Sequence, residues 1–194
     1  MTEQTKDRIA QATKDLVGTV PFADINVTSI MKKAGLRRQT FYDYYRDKFD
    51  VLGHIYRTEI DAAAAFCGHY QYWPQTLHTM LDYFAANRRF YRIVIAIDEQ
   101  NAPEDVIRAH LSDMIKAILG DLGRTRHVAI DPGYCRFLQS MLSTAFVVEL
   151  KNWLTAPTPV PVATLETYIG TFLDGSFTGF LSQTASPVVQ RAEA

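Results

Sequence analysis

Residues 26–48, NVTSIMKKAGLRRQTFYDYYRDK, constrain the fold more than any other stretch of this chain. Asn26 is a suitable N-cap, because its side chain can accept a hydrogen bond from an otherwise orphaned helix amide. Val27, Ile30, Met31 and Ala34 then recur at i, i+3, i+4 and i+7, giving an apolar face only two turns long. Gly35 is expected to end that helix in the left-handed conformation, which costs glycine least, and Leu36 anchors the turn. A second helix is expected from about Arg38 to Tyr45. Phe41 and Tyr45, four residues apart, turn inward, while Gln39, Tyr42 and Arg46 share a different face. The pattern is that of a helix-turn-helix, and its second helix projects polar groups able to bond bases or phosphates.

Charge sharpens this reading. The formal net charge is -1, yet residues 1–60 hold ten Lys/Arg against eight Asp/Glu and the remainder ten against thirteen. Within residues 30–48, Lys32, Lys33, Arg37, Arg38, Arg46 and Lys48 face only Asp43 and Asp47. A phosphate-facing surface needs such an excess. A solvated helix face shows the same charge, so the excess alone does not distinguish the two. With 194 residues and 47% hydrophobic content, the chain has the length for a sizeable core. Two cysteines, Cys67 and Cys135, make no disulfide framework, no basic-then-apolar leader opens the chain, and no apolar run approaches a membrane span. The expectation is a cytoplasmic protein with no membrane association.

The other segments read as helices. Residues 4–17 are amphipathic, with Ile9, Thr13, Leu16 and Val17 on one side and Gly18 past the end. Pro21 forces an extended step, after which Phe22 and Ile25 tuck into the core. Asp47 can cap a helix from about Lys48 to Cys67, with Phe49, Leu52, Ile55, Tyr56 and Ile60 inward. Gly68 and His69–Pro74 mark a break. Residues 75–87 form a helix stopping at Asn87. The apolar run 90–97 fits a buried helix or a strand by periodicity, and its helical surroundings favour helix. Pro103 starts another helix, with Ile107, Leu111, Met114, Ile115, Ile118 and Leu119 inward. A long helix of about 133–155 carries Tyr134, Phe137, Leu138, Met141, Leu142, Ala145, Phe146, Val148 and Trp153. The connector APTPVP (156–161) cannot be helical, and a last helix spans about 162–182 with Gly170, Gly175 and Gly179 along it. The tail from Ser186 reads as frayed.

Residues 9–56 resemble the DNA-binding domain of the TetR family of bacterial transcriptional regulators. The resemblance rests on Phe22, the Val27–Ile30–Met31 core, Ala34-Gly35-Leu36, Thr40-Phe41-Tyr42, and Asp47-Lys48 before Leu52. It implies an all-α homodimer: a helix-turn-helix DNA-binding domain over residues 1–48, a linking helix over 49–68, a helical regulatory and dimerisation domain over 69–185, and a tail over 186–194. The expected partner is a double-stranded, near-palindromic DNA operator, and Thr28, Arg37, Arg38, Gln39, Thr40, Tyr42, Arg46 and Lys48 are the expected DNA-binding set. Tyr42 and Lys48 are phosphate contacts by this resemblance, whereas Arg38 and Gln39 suit bases or backbone equally. Arg37, Gln39 and Tyr45 stand where the family commonly has a small capping residue, Gly and Phe. The departure at Arg37 leaves the second helix without an evident side-chain cap. The resemblance also places the dimer interface on the last two helices, here Phe137, Met141, Ala145, Phe172 and Phe177. The string SIMKKAGLRRQTFYDYYRDKFDVL resembles a narrower branch, the dihydroxyacetone-kinase operon activators, which implies control by a kinase-related partner protein.

Three other constellations bear on function. His54, Cys67, His69 and His78 fit no zinc spacing, and Cys67 near His69 lacks an oxyanion site, so neither metal, cofactor nor catalysis is expected. Aromatic residues in the second half suit a core or a small-molecule pocket; the pocket candidates are Tyr91, Met114, Phe146 and Trp153. A ligand-responsive repressor is thus the alternative to a protein-controlled activator. A helical enzyme carrying an incidental helix-turn-helix is the remote one.

Overall fold

The computed structural model describes residues 2–63, 69–99, 102–127 and 131–183, and among these it contains helices and turns but no strand. Helix α1 (Thr2–Val17) closes at Gly18 and leads through Pro21 into a 3-10 turn, Phe22–Asp24, whose phenyl ring is buried. Helix α2 (Val27–Ala34) follows, then a 3-10 segment, Arg38–Asp43, then α3 (Lys48–Ala63). Helix α1 lies against both α2 and α3, so the short α2 buries its two-turn stripe of Ile30, Met31 and Ala34 in a three-sided core with Ile9, Phe41 and Leu52. Truncating Ile30 or Met31 to alanine there costs about 2–5 kcal/mol.

A 3-10 turn at Tyr70–Tyr72 opens the second half. Helix α4 (Trp73–Ala86) begins two residues before the expected start because Pro74 sits in its first turn, where the missing amide hydrogen is harmless. Asn87 ends α4 and starts α5 (Arg88–Val94) at once, so the apolar run 90–97 is a short helix and a turn. Helix α6 (Pro103–Arg126) has Glu104 and Asp105 in its first turn and Arg124 and Arg126 in its last, matching the helix dipole at both ends. Asp131 caps α7 (Pro132–Thr155) by accepting from the Tyr134 amide at 2.7 Å. The proline connector is pinned by Trp153, whose Nε1 donates to the Val160 carbonyl at 2.8 Å, and α8 (Val162–Gln183) runs back along α4.

Helix α7 packs along α6 with Leu138, Leu142, Val147, Leu150 and Leu154, and this inward arc is narrower than the apolar stripe in the sequence. Phe137, Met141 and Val148 instead face outward at 53%, 54% and 46% exposure, as do Tyr168 and Phe172 of α8 at 63% and 57%. The Trp73 indole stands at ordinary van der Waals distance, 3.8 Å, from where a Cβ on Gly170 would be, whereas a Cβ on Gly175 or Gly179 would meet nothing within 4 Å among the described residues. No described helix is long and apolar enough to cross a membrane. Cys67, Gly68 and the tail from Ser186 lie outside the described residues.

Candidate nucleic-acid interface

The exposed segment at Arg37–Arg46 is held from behind by three devices, two local and one distant. Asn26 accepts from the Ser29 amide at 3.0 Å while Ser29 Oγ accepts from the Asn26 amide at 3.0 Å, a reciprocal capping box that fixes the start of α2. Gly35 takes φ 66° and ψ 36°, and its amide donates to the Lys32 carbonyl, so α2 stops there as expected. Arg8 of α1 then donates through Nη2 to the Ala34 carbonyl at 2.7 Å, closing the C-terminal end of α2 from a distant element. The i, i+3 spacing of Asn26 and Ser29 signals the first device in the sequence. Nothing local signals Arg8.

The segment after the turn is not the α-helix expected over Arg38–Tyr45. It is a 3-10 helix, Arg38–Asp43, with Arg37 extended at its start and no side-chain cap. The physical reason lies in composition and length. Thr, Phe, Tyr and Asp are all mediocre helix formers, the segment is too short to repay α-helix nucleation, and no cap assists it. Six residues of 3-10 structure with Thr40 bonded back to Arg37 and Tyr44 to Phe41 satisfy the amides instead. Phe41 is fully buried and Tyr45 nearly so, their rings 5.7 Å apart, as the four-residue spacing predicts. The Tyr45 hydroxyl finds no partner, and burial pushes its pKa upward.

Thr28, Arg37, Arg38, Gln39, Tyr42 and Arg46 are all exposed, and Thr40 is half-buried. The 3-10 register places Gln39 and Tyr42, three residues apart, one above the other. Arg38 lies over the Tyr42 ring at 5.5 Å and donates to its hydroxyl at 3.0 Å, so the two form one unit with both a guanidinium fork and a hydroxyl toward solvent. Lys48 differs from its simple expectation. Its Nζ donates to the Phe22 carbonyl at 3.0 Å and sits 4.1 Å from the Phe22 ring centroid, leaving two of three ammonium hydrogens uncommitted. Asp47 accepts from the Phe49 and Asp50 amides at 2.8 and 2.9 Å, capping α3 beside it.

The expected pocket and interface residues separate. Met114 and Phe146 line an apolar cavity of about 50 Å³ between α4, α6, α7 and α8. Tyr91 and Trp153 do not. Tyr91 is buried with its hydroxyl 2.6 Å from that of Tyr83, and Trp153 is spent on the proline connector. Phe137, Met141 and Phe172 are exposed, Ala145 is half-buried, and Phe177 is not an outward residue at all. Its ring is fully buried against Tyr70 and Trp73, centroids 5.9 and 6.0 Å away, which removes it from any surface. Among the described residues no cluster of His, Cys, Asp and Glu is arranged to hold a metal.

A helix, a tight glycine turn and an exposed basic segment mounted on a larger helical body define the helix-turn-helix class of transcriptional regulators. Residues 71–175, just over half the chain, match the family model described as "Transcriptional regulator C-terminal region" of TetR type. The chain belongs to the TetR family of transcriptional regulators. It is 33% identical over 95 residues to the HTH-type dhaKLM operon transcriptional activator DhaS of Lactococcus lactis subsp. lactis (strain IL1403), a match covering 49% of this chain and 51% of that protein. The chain therefore spans about half the length of that curated relative in the match. A solved structure of the dihydroxyacetone kinase operon activator DhaS superposes with a TM-score of 0.69 at 22% identity, over 91% of this chain and 97% of the other. The fatty acid degradation regulator FadR from Bacillus halodurans gives 0.63 at 16%, over 87% and 94%. Identities this low speak for the fold alone.

Proposed function

We propose that this regulator binds a near-palindromic DNA operator as a homodimer in the cytoplasm, with occupancy set by its C-terminal body, and that it performs no catalysis. The observation that carries the proposal is the exposed Arg37–Arg38–Gln39–Tyr42–Arg46 surface on a segment anchored by buried Phe41. Arg38, with Tyr42 bonded beneath it, offers a fork suited to a guanine edge or a phosphate, and Gln39 suits adenine. Arg37 and Lys48 add charge at the two ends. The outward apolar residues Phe137, Met141, Val148, Tyr168 and Phe172 support self-association through α7 and α8, since a lone subunit would leave them in water.

The likeness to DhaS supports a narrower reading: an activator of dihydroxyacetone kinase genes that works with a kinase-like partner protein. A second reading, a ligand-responsive repressor, is favoured by the apolar cleft of about 320 Å³ that Phe146 lines with Leu165, Ile169 and Phe172 between α7 and α8. Selection of duplexes from a random-sequence pool by the purified protein tests DNA binding. A two-fold symmetric consensus is expected, and enrichment of no sequence would overturn the proposal. Adding small metabolites to the purified protein–DNA complex separates the two controls: release by a metabolite alone favours the repressor, and dependence on a second protein favours the activator.

A further inference from the structure

Four consecutive residues of α5 reach three other helices of the fold. Arg88 donates through Nη2 to the Ala156 carbonyl at 2.6 Å, at the C-terminal end of α7. Arg89 donates to the Gly18 carbonyl at 2.7 Å, at the C-terminal end of α1. The Phe90 ring lies 5.7 Å from the Lys14 ammonium of α1. The Tyr91 hydroxyl meets that of Tyr83 on α4 at 2.6 Å, and Tyr83 in turn donates to Glu59 of α3 at 2.5 Å. Because each hydroxyl has one hydrogen and Tyr83 directs its own at the carboxylate, Tyr91 is the donor to Tyr83. Glu59 also accepts from Lys14 at 2.7 and 3.0 Å, completing a hydrogen-bonded chain from α5 through α4 and α3 to α1. Successive residues on a helix point about 100° apart, so one turn suffices to address all these neighbours.

We infer that Arg89 and Glu59 are positioning residues, which fix the angle of the DNA-reading segment relative to the dimer-forming helices and so set which half-site spacing the protein accepts. The inference rests on the DNA-binding dimer proposed above. Apolar contacts between α1 and the body resist separation but have no direction, whereas hydrogen bonds to a carbonyl or carboxylate do. The adjacent arginines cap the C-terminal ends of α1 and α7, where a cation also suits the helix dipole. One seven-residue helix therefore joins the element that carries the reading turn to an element that carries the outward apolar face. The lever is long enough to matter. Arg8, which grips the Ala34 carbonyl, lies about 15 Å along α1 from Gly18, and a tilt of about 15° there moves it about 4 Å, more than one base-pair rise of about 3.4 Å.

The test uses the full chain and a duplex selected by it from a random pool, remade with half-sites about two base pairs closer or further apart. The native protein is expected to bind the altered spacings at least about tenfold more weakly than the selected one. In Arg89→Ala, and in Glu59→Gln, that penalty should fall to within about threefold while binding to a single half-site is unchanged. Arg89→Lys, which keeps one donor, should restore most of the penalty. Arg89 is exposed, so its replacement leaves the core intact, and unchanged helical circular dichroism checks this. An Arg89→Ala protein that keeps the full native spacing penalty overturns this inference alone. A native protein that selects no duplex overturns the DNA-binding reading and this inference with it.

Discussion

Lys48 and Phe22 are joined twice: the ammonium donates to the Phe22 carbonyl at 3.0 Å and stands 4.1 Å from the centroid of the same residue's ring. The start of α3 is thereby locked to the turn that precedes α2. A charge-assisted hydrogen bond and a partly shielded cation–π contact together are worth about 1–2 kcal/mol. Lys48→Met, which keeps the aliphatic stem, is expected to lower unfolding free energy by about that amount in urea and to make the salt dependence of DNA binding shallower by about one ion. Loss of stability with an unaltered salt slope would reduce Lys48 to a structural role.

Tyr45 presents the opposite case. Its hydroxyl is buried without a partner while its ring packs on Phe41 and His54, centroids 5.7 and 5.4 Å away. Removing an unsatisfied buried hydroxyl while keeping the ring removes a cost of about 1 kcal/mol. Tyr45→Phe should therefore be neutral or more stable in denaturant titration, with DNA binding retained. Destabilisation by more than about 1 kcal/mol would reveal a hydroxyl partner.

Two histidines give the stability curve opposite slopes. The hydrogen bond and charge of Glu166, with Asp82 behind, raise the pKa of His78 above its ordinary value near 6.5. The protonated form is favoured by folding, so this contribution is full below the unfolded pKa and disappears as pH rises through the folded one. His54 is the reverse. Burial first and Lys6 second lower its pKa, so its contribution is present at high pH and lost on acidification. Replacing His78 with Gln should narrow the melting-temperature difference from the native protein as pH goes from about 5.5 to about 8.5, and replacing His54 with Gln should widen it. A pH-independent difference for His78→Gln would show that its bridge between α4 and α8 is absent in solution.

The outward face of α7 and α8 makes a direct forecast about mass. Phe137→Asp combined with Phe172→Asp places two charges on side chains that are more than half exposed within the subunit. Sedimentation should change from a dimer to a monomer, with the melting curve of the isolated fold little altered and DNA affinity reduced at least about tenfold because one reading head replaces two. A double variant that remains dimeric would move the interface elsewhere.

Much of the head is legible in the sequence because its determinants are local. Asn26, Gly35, Phe41 and Asp47 each act within four residues of their partners, and they do in the structure what their spacing suggests. What the sequence hides is long-range or geometric. Arg8 closes α2 from 26 residues away, Arg88 reaches Ala156 across 68, and no pattern announces either. The 3-10 character of Arg38–Asp43 is also invisible to apolar periodicity, since one buried ring cannot define a period. In the body, Phe177 and Phe172 look equivalent along α8, and only packing against Tyr70 and Trp73 decides that the first turns in and the second out.

The 3-10 geometry of Arg38–Asp43 has a consequence for information. Six residues rising about 2.0 Å each cover about 12 Å, or three to four base pairs at about 3.4 Å per step. Two such segments specify six to eight base pairs, a word that recurs by chance roughly every 4,000 to 65,000 positions of random sequence. A bacterial chromosome offers many such words. Base recognition by this segment alone would thus leave a regulator with dozens to hundreds of equivalent addresses, and the distance held between two words becomes as much a part of the message as the letters.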